Sequence, residues 1–155
     1  HGVLSTHLHS DGEYCKELWV KEPSTLSSQR LSEDSMKDGD HYVNMNGREV
    51  FRHAVKRFPE TINEALEANK LTTDDIDLLI PHQANLRISS MVQKRMGLPD
   101  EKIYNNIHKY GNTTAASIPI CISEALDEGK INKGDILVCA AFGSGFLWGS
   151  SIIKW

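Results

Sequence analysis

Three short segments carry residue types with the means to do chemistry. Pro81-His82-Gln83-Ala84-Asn85 follows an apolar run and leads into a helical pattern. In open α/β sheets ligands gather outside the carboxyl ends of strands, so an imidazole at His82 stands where a proton or a hydrogen bond can be delivered. Tyr110-Gly111-Asn112-Thr113-Thr114-Ala115-Ala116-Ser117 sets Asn112 in a Gly-Asn turn before a helix that begins on small residues. Ala141-Phe142-Gly143-Ser144-Gly145-Phe146-Leu147-Trp148-Gly149 holds glycines around a tight turn, where backbone N–H groups can point at an oxyanion. Taken singly, each has a plain structural account. His82 can be a satisfied turn histidine with Asn85 as the next helix's N-cap. Asn112 can form an Asx turn that starts a helix. The glycines can simply join two buried strands.

Other reactive side chains offer less. His7 and His9 share one face of a strand, but zinc needs further ligands and none is evident nearby. Cys121 and Cys139 lie in apolar runs and read as buried core thiols. Cys15 sits among carboxylates in Asp11-Gly12-Glu13-Tyr14-Cys15, which raise a thiol pKa and argue against an activated nucleophile. Three widely spaced cysteines without a CxxC pair point away from a disulfide framework and toward a reducing cytosol.

A strand is expected over residues 3–9, followed by a polar surface excursion over about 10–46, a candidate lid or entry loop. Asn46 with Glu49 resembles a capping box opening a helix. Its apolar stripe runs from Val50 to Leu66, and Pro59 predicts a kink or two abutting helices. Residues 76–80 read as a buried strand ended by Pro81, and 86–96 as a helix stopped by Gly97. Residues 103–107 read as a weak strand and 113–128 as a helix with Pro119 near its start. Residues 136–142 read as an apolar strand that returns through Gly143-Ser144-Gly145 as 146–155. Alternating strands and helices predict an α/β fold, with helices on a mostly parallel sheet and a C-terminal antiparallel hairpin.

The 155 residues suffice for one domain with a real core. A net charge of -4 gives no nucleic-acid footprint, and no apolar run reaches the roughly 20 residues that span a bilayer. The opening at His1, without Met or targeting segment, predicts a piece of a longer chain.

PHQAN, YGNTTAAS and FGSGFLWGS, in that order, resemble the second half of β-ketoacyl-acyl-carrier-protein synthase III. Gly2-Val3-Leu4-Ser5-Thr6-His7-Leu8-His9-Ser10-Asp11-Gly12 and Met45-Asn46-Gly47-Arg48-Glu49-Val50-Phe51 extend the similarity over nearly the whole chain. The resemblance implies the C-terminal half of a thiolase fold, residues 1–155, with the N-terminal half and its acyl-accepting cysteine absent. It implies a cytoplasmic, homodimeric acyltransferase that condenses an acyl thioester with malonyl-acyl-carrier protein and releases carbon dioxide, initiating fatty-acid synthesis. Coenzyme A and phosphopantetheine thioesters would be substrates, with no cofactor or metal. Acyl carrier protein, acyl-CoA and the missing half would be partners, with no nucleic acid or membrane.

By the same resemblance, His82 and Asn112 would be catalytic, and Gln83, Ala84, Asn85, Leu86 and Arg87 would form the carrier-docking segment. Phe142 would lie beside the malonyl group, with the Ser144 backbone nearby. The chemistry suits these types: decarboxylation leaves an enolate, and two neutral donors aimed at its oxygen stabilise the charge where it develops. A related condensing enzyme of specialised metabolism, making a quinolone or polyketide starter, and a non-catalytic module that binds carrier or acyl chain are the competing readings.

Overall fold

The computed structural model describes residues 1–25, 28 and 30–155. Its elements are strand β1 (Gly2–Ser10), strand β2 (Leu18–Val20), helix α1 (Glu33–Lys37), strand β3 (Val43–Met45), helix α2 (Gly47–Ala68), strand β4 (Leu78–Pro81), helix α3 (Leu86–Met96), helix α4 (Ile107–Tyr110), helix α5 (Ser117–Asp127), and strands β5 (Ile136–Gly143) and β6 (Leu147–Lys154). The principal sheet has the order β1-β6-β5-β4.

That sheet is mixed, which corrects the expectation of a mostly parallel one. Only β4 and β5 pair in parallel; β5–β6 and β6–β1 are antiparallel. The reason is the tight turn after Gly143. It folds β6 straight back along β5, and β1 then adds antiparallel to the free edge of β6. The expected strand at 103–107 is a single parallel bridge, Leu79 to Ile103, before the chain turns into α4.

Side-chain alternation along β4 and β5 builds a three-layer core. Leu79, Val138, Ala140 and Phe142 face α2 and α3, together with Phe58, Ile62, Ala65 and Val92. Leu78, Ile80, Leu137 and Cys139 face α5 and pack with Cys121 and Ala125. The continuous apolar reading of these two strands follows from burial on both faces. Each fully buried Leu or Ile contributes about 1.5–3 kcal/mol relative to exposure.

α2 runs unbroken from Gly47 to Ala68 with Pro59 inside it, so the expected division into two helices does not occur. Proline lacks the N–H that would bond the carbonyl four residues back. That carbonyl belongs to Val55, and Arg95 of α3 donates to it from Nη1 at 2.7 Å. A side chain of the neighbouring helix thus supplies the donor that the sequence of α2 withholds.

Residues 26, 27 and 29 of the expected lid or entry loop lie outside the described residues; its described part holds a 3₁₀ helix (Gly12–Glu17), α1, and an antiparallel β2–β3 pair. No helix among the described residues is long and apolar enough to cross a membrane.

Candidate active site

His82 and Asn112 line one cavity of about 700 Å³, together with Phe142, Gly143 and Ser144. The cavity lies between the start of α5 and the sheet face carrying Thr6, Leu8, Cys139, Ala141, Leu147 and Ser151. Leu8 (79% exposed) and Leu147 (55%) leave part of this face uncovered.

Each of the two polar side chains has one end already engaged. His82 continues the β4 ladder, donating its backbone N–H to Ala140 O at 2.8 Å. Its Nδ1 lies 2.7 Å from Ser117 Oγ. Burial depresses its pKa below the ordinary 6.5, which favours the neutral ring. Asn112 follows α4 rather than the expected strand, after Gly111 in a positive-φ conformation. Its Oδ1 accepts from the Thr114 N–H at 2.8 Å, which realises the Asx turn. Thr114 adopts φ 52°, a strained value for a β-branched residue and one of the kind that clusters at functional sites. With Oδ1 occupied, the Nδ2 amide is the end of Asn112 left to donate.

Gln83 ties the two turns together. Its Oε1 accepts from the N–H groups of Asn106 (3.0 Å) and Ile107 (3.1 Å), the otherwise orphaned donors at the start of α4. Its Nε2 donates to Pro81 O at 2.7 Å. Glu124 of α5 fixes the other side of this segment, accepting from Tyr110 Oη (2.6 Å), Asn106 Nδ2 (2.9 Å) and Lys109 Nζ (3.2 Å). These bonds hold the Glu124 carboxyl well below the usual range, at about 2, led by the Tyr110 hydrogen bond.

Of the expected docking segment, Gln83 is therefore corrected: it is 1% exposed and spends both amide atoms internally. Ala84, Asn85, Leu86 and Arg87 are exposed. Asn85 caps α3, its Oδ1 accepting from Arg87 N–H at 2.9 Å. The Arg87 guanidinium lies 5.7 Å from the Phe51 ring centroid.

The glycine turn is clamped from behind. Phe146 and Asp11 exchange backbone hydrogen bonds at 2.8 Å each. Phe146 is fully buried, and its ring centroid lies 4.8 Å from that of Phe142. Gly145 has φ +138°, and a Cβ there would stand 2.6 Å from Leu147 Cγ. Ser144 is exposed at the cavity rim.

His7 and His9 do share a face, where both reach Glu64 of α2, at 3.3 and 2.6 Å. Among the described residues no group of three His, Cys, Asp or Glu is placed to hold a metal. Burial pushes the Cys121 and Cys139 thiols up to about 11, which suits core residues rather than nucleophiles. The sequence reading missed Ser117, Thr114 and Gln83's internal role. A serine opening α5 straight after two alanines was the available signal for the first.

A mixed sheet between helical layers, with its polar residues at the carboxyl end of the parallel pair, defines a half of the thiolase fold. Aligned on 3-oxoacyl-[acyl-carrier-protein] synthase III from Aquifex aeolicus VF5, the chain gives a TM-score of 0.85 at 35% identity, covering 99% of itself and 44% of that chain. Residues 66–155 match the family described as 3-Oxoacyl-[acyl-carrier-protein (ACP)] synthase III C terminal, and the chain belongs to that family. It is 46% identical over 154 residues to beta-ketoacyl-[acyl-carrier-protein] synthase III of Clostridioides difficile, and 44% over 154 residues to that of Symbiobacterium thermophilum. Both alignments cover 99% of this chain and 46% of the relative, so the chain spans about half the length of these curated relatives.

Proposed function

We propose that this chain forms the C-terminal half of a condensing enzyme that joins an acyl thioester to malonyl-acyl-carrier protein with loss of carbon dioxide. The observation that carries the reading is the pairing of His82 and Asn112 on one cavity, with His82 bonded through Nδ1 to Ser117 and Asn112 through Oδ1 to the Thr114 N–H, so that the opposite nitrogen of each side chain is the one left for a substrate.

The malonyl thioester would enter past the glycine turn with its thioester oxygen toward these two side chains. Breaking the bond to the carboxylate releases carbon dioxide and leaves the electron pair in an enolate. Its negative charge gathers on the oxygen between His82 Nε2 and Asn112 Nδ2. Fixed donors gain most when the charge is fully developed, and the apolar wall of Phe142, Ala141 and Leu147 would strengthen them by excluding water once the other half covers it. The enolate carbon then attacks the acyl carbonyl held on a cysteine of the other half, and the thiolate departs. A neutral His82 suits this sequence, because an imidazolium would hold the departing carboxylate in place.

Exposed Leu8 and Leu147 on the cavity face support a site completed by that other half. Arg87 and its exposed neighbours suit an acidic carrier protein. The names of the most similar relatives favour fatty-acid initiation over a specialised-metabolite role.

In the full-length enzyme, His82→Ala and Asn112→Ala should each slow malonyl decarboxylation by about 10²–10³ while leaving acylation of the cysteine largely intact. Labelled acyl transfer and carbon dioxide release separate the two steps. Equal loss of both steps would place these side chains at the nucleophile instead and overturn the reading.

A further inference from the structure

Ser117 is a buried hydroxyl that the proposed chemistry does not use directly. It opens α5, is 1% exposed, and its Oγ lies 2.7 Å from His82 Nδ1 and 3.3 Å from the Gln83 backbone nitrogen. We propose that Ser117 is a positioning residue that fixes the tautomer of His82, so that the ring proton sits on Nε2 and faces the cavity. The inference rests on the reading of His82 as a donor to the enolate oxygen and names what makes it one.

The number of protons available to the three groups decides the tautomer. A backbone N–H only donates, so Gln83 uses one lone pair of Ser117 Oγ. If Nδ1 also carried a proton and donated to Oγ, the hydroxyl would accept twice and its own proton would have no partner in a buried site. Turning that proton onto a bare Nδ1 satisfies all three groups at once. A neutral imidazole holds a single ring proton, which must then be on Nε2. The burial that favours the neutral ring supports the count. The same hydroxyl sits against the Gln83 backbone, whose side chain caps α4 just before Asn112. Ser117 therefore meets the framework that orients the second donor as well.

The test uses the full-length enzyme with ¹⁵N-labelled histidine. The His82 resonances are assigned by their loss in His82→Ala, and decarboxylation and cysteine acylation are measured separately. The unmodified enzyme should show a bare Nδ1 and a protonated Nε2. Ser117→Ala should give a mixture of tautomers and slow decarboxylation by about 10- to 100-fold, less than deleting the donor outright, with acylation unchanged. If the alanine variant does not fold, Ser117→Cys keeps the volume with a weaker donor, and the same direction is expected. A proton on Nδ1 in the unmodified enzyme, or an unchanged tautomer in the serine variant whatever its rate, overturns the role of Ser117. If His82→Ala itself leaves decarboxylation intact, the proposed function fails, whereas the tautomer measurement still decides the hydrogen-bond arrangement.

Discussion

Replacing Arg95 by Met should destabilise the full-length protein through a carbonyl on a different helix. Pro59 gives no N–H to Val55 O, and Arg95 Nη1 supplies the missing bond at 2.7 Å. Methionine keeps much of the apolar stem but leaves that carbonyl without a donor. An unpaired buried polar group costs about 1–3 kcal/mol. Val55 is 6% exposed, but Arg95 lies at the surface, where water can reach part of the gap. The lower half of the range applies, about 1–2 kcal/mol, or roughly 1–3 °C in Tm for a protein about twice this chain's length. The decisive comparison is a double-mutant cycle with Pro59→Ala, which restores an N–H in register with Val55 O. In that background Arg95→Met should cost less than about 0.5 kcal/mol, giving a coupling near 1 kcal/mol. Denaturant unfolding of the four proteins supplies the numbers. An equal loss in both backgrounds would refute the assignment of Arg95 as a surrogate helix donor.

Two further outcomes follow from the site. Burial holds the His82 pKa below 6.5, so decarboxylation should stay level as pH falls to about 6.5 and drop only below it. The sign is that of a depressed pKa: the neutral, working form is present above the ordinary value and is lost as pH falls through the folded one. An acid limb centred above 6.5 would contradict it. Arg87→Glu should raise the Michaelis constant for malonyl-carrier protein about three- to tenfold at low salt, with small acyl-CoA substrates spared and the effect shrinking as salt rises. An unchanged constant at low salt would remove Arg87 from the docking surface.

Much of this site was legible from local chemistry. The run 76–80, the stop at Pro81 and the cap at Asn85 mark a strand–turn–helix, and His82 lands on the cavity edge as that pattern requires. The Gly111-Asn112 turn was legible for the same reason, as a side-chain amide bonding two residues onward. What escaped depends on distant neighbours. Residues 103–107 have too little alternation to choose a state. The choice is made by Gln83 Oε1, which caps the first N–H groups of α4 from more than twenty positions away. Gln83 itself sits in a turn, where sequence spacing does not tell inward from outward, and only its two internal acceptor bonds reveal the direction. The mixed sheet was hidden because alternating elements suggest crossovers, while strand direction across β6 is set by the turn at 144–146 and by β1 pairing with the opposite end of the chain.

The central claim is that two donors meet at one oxygen. A crystal structure of the full-length enzyme, acylated at its cysteine and holding a non-decarboxylating malonyl thioester analogue, tests it most directly. The account predicts His82 Nε2 and Asn112 Nδ2 each about 2.7–3.1 Å from the same thioester oxygen, with Ser117 Oγ still bonded to Nδ1. A thioester oxygen bonded elsewhere, with the two nitrogens more than about 6 Å apart, would contradict it, since no single oxygen could then lie within that distance of both.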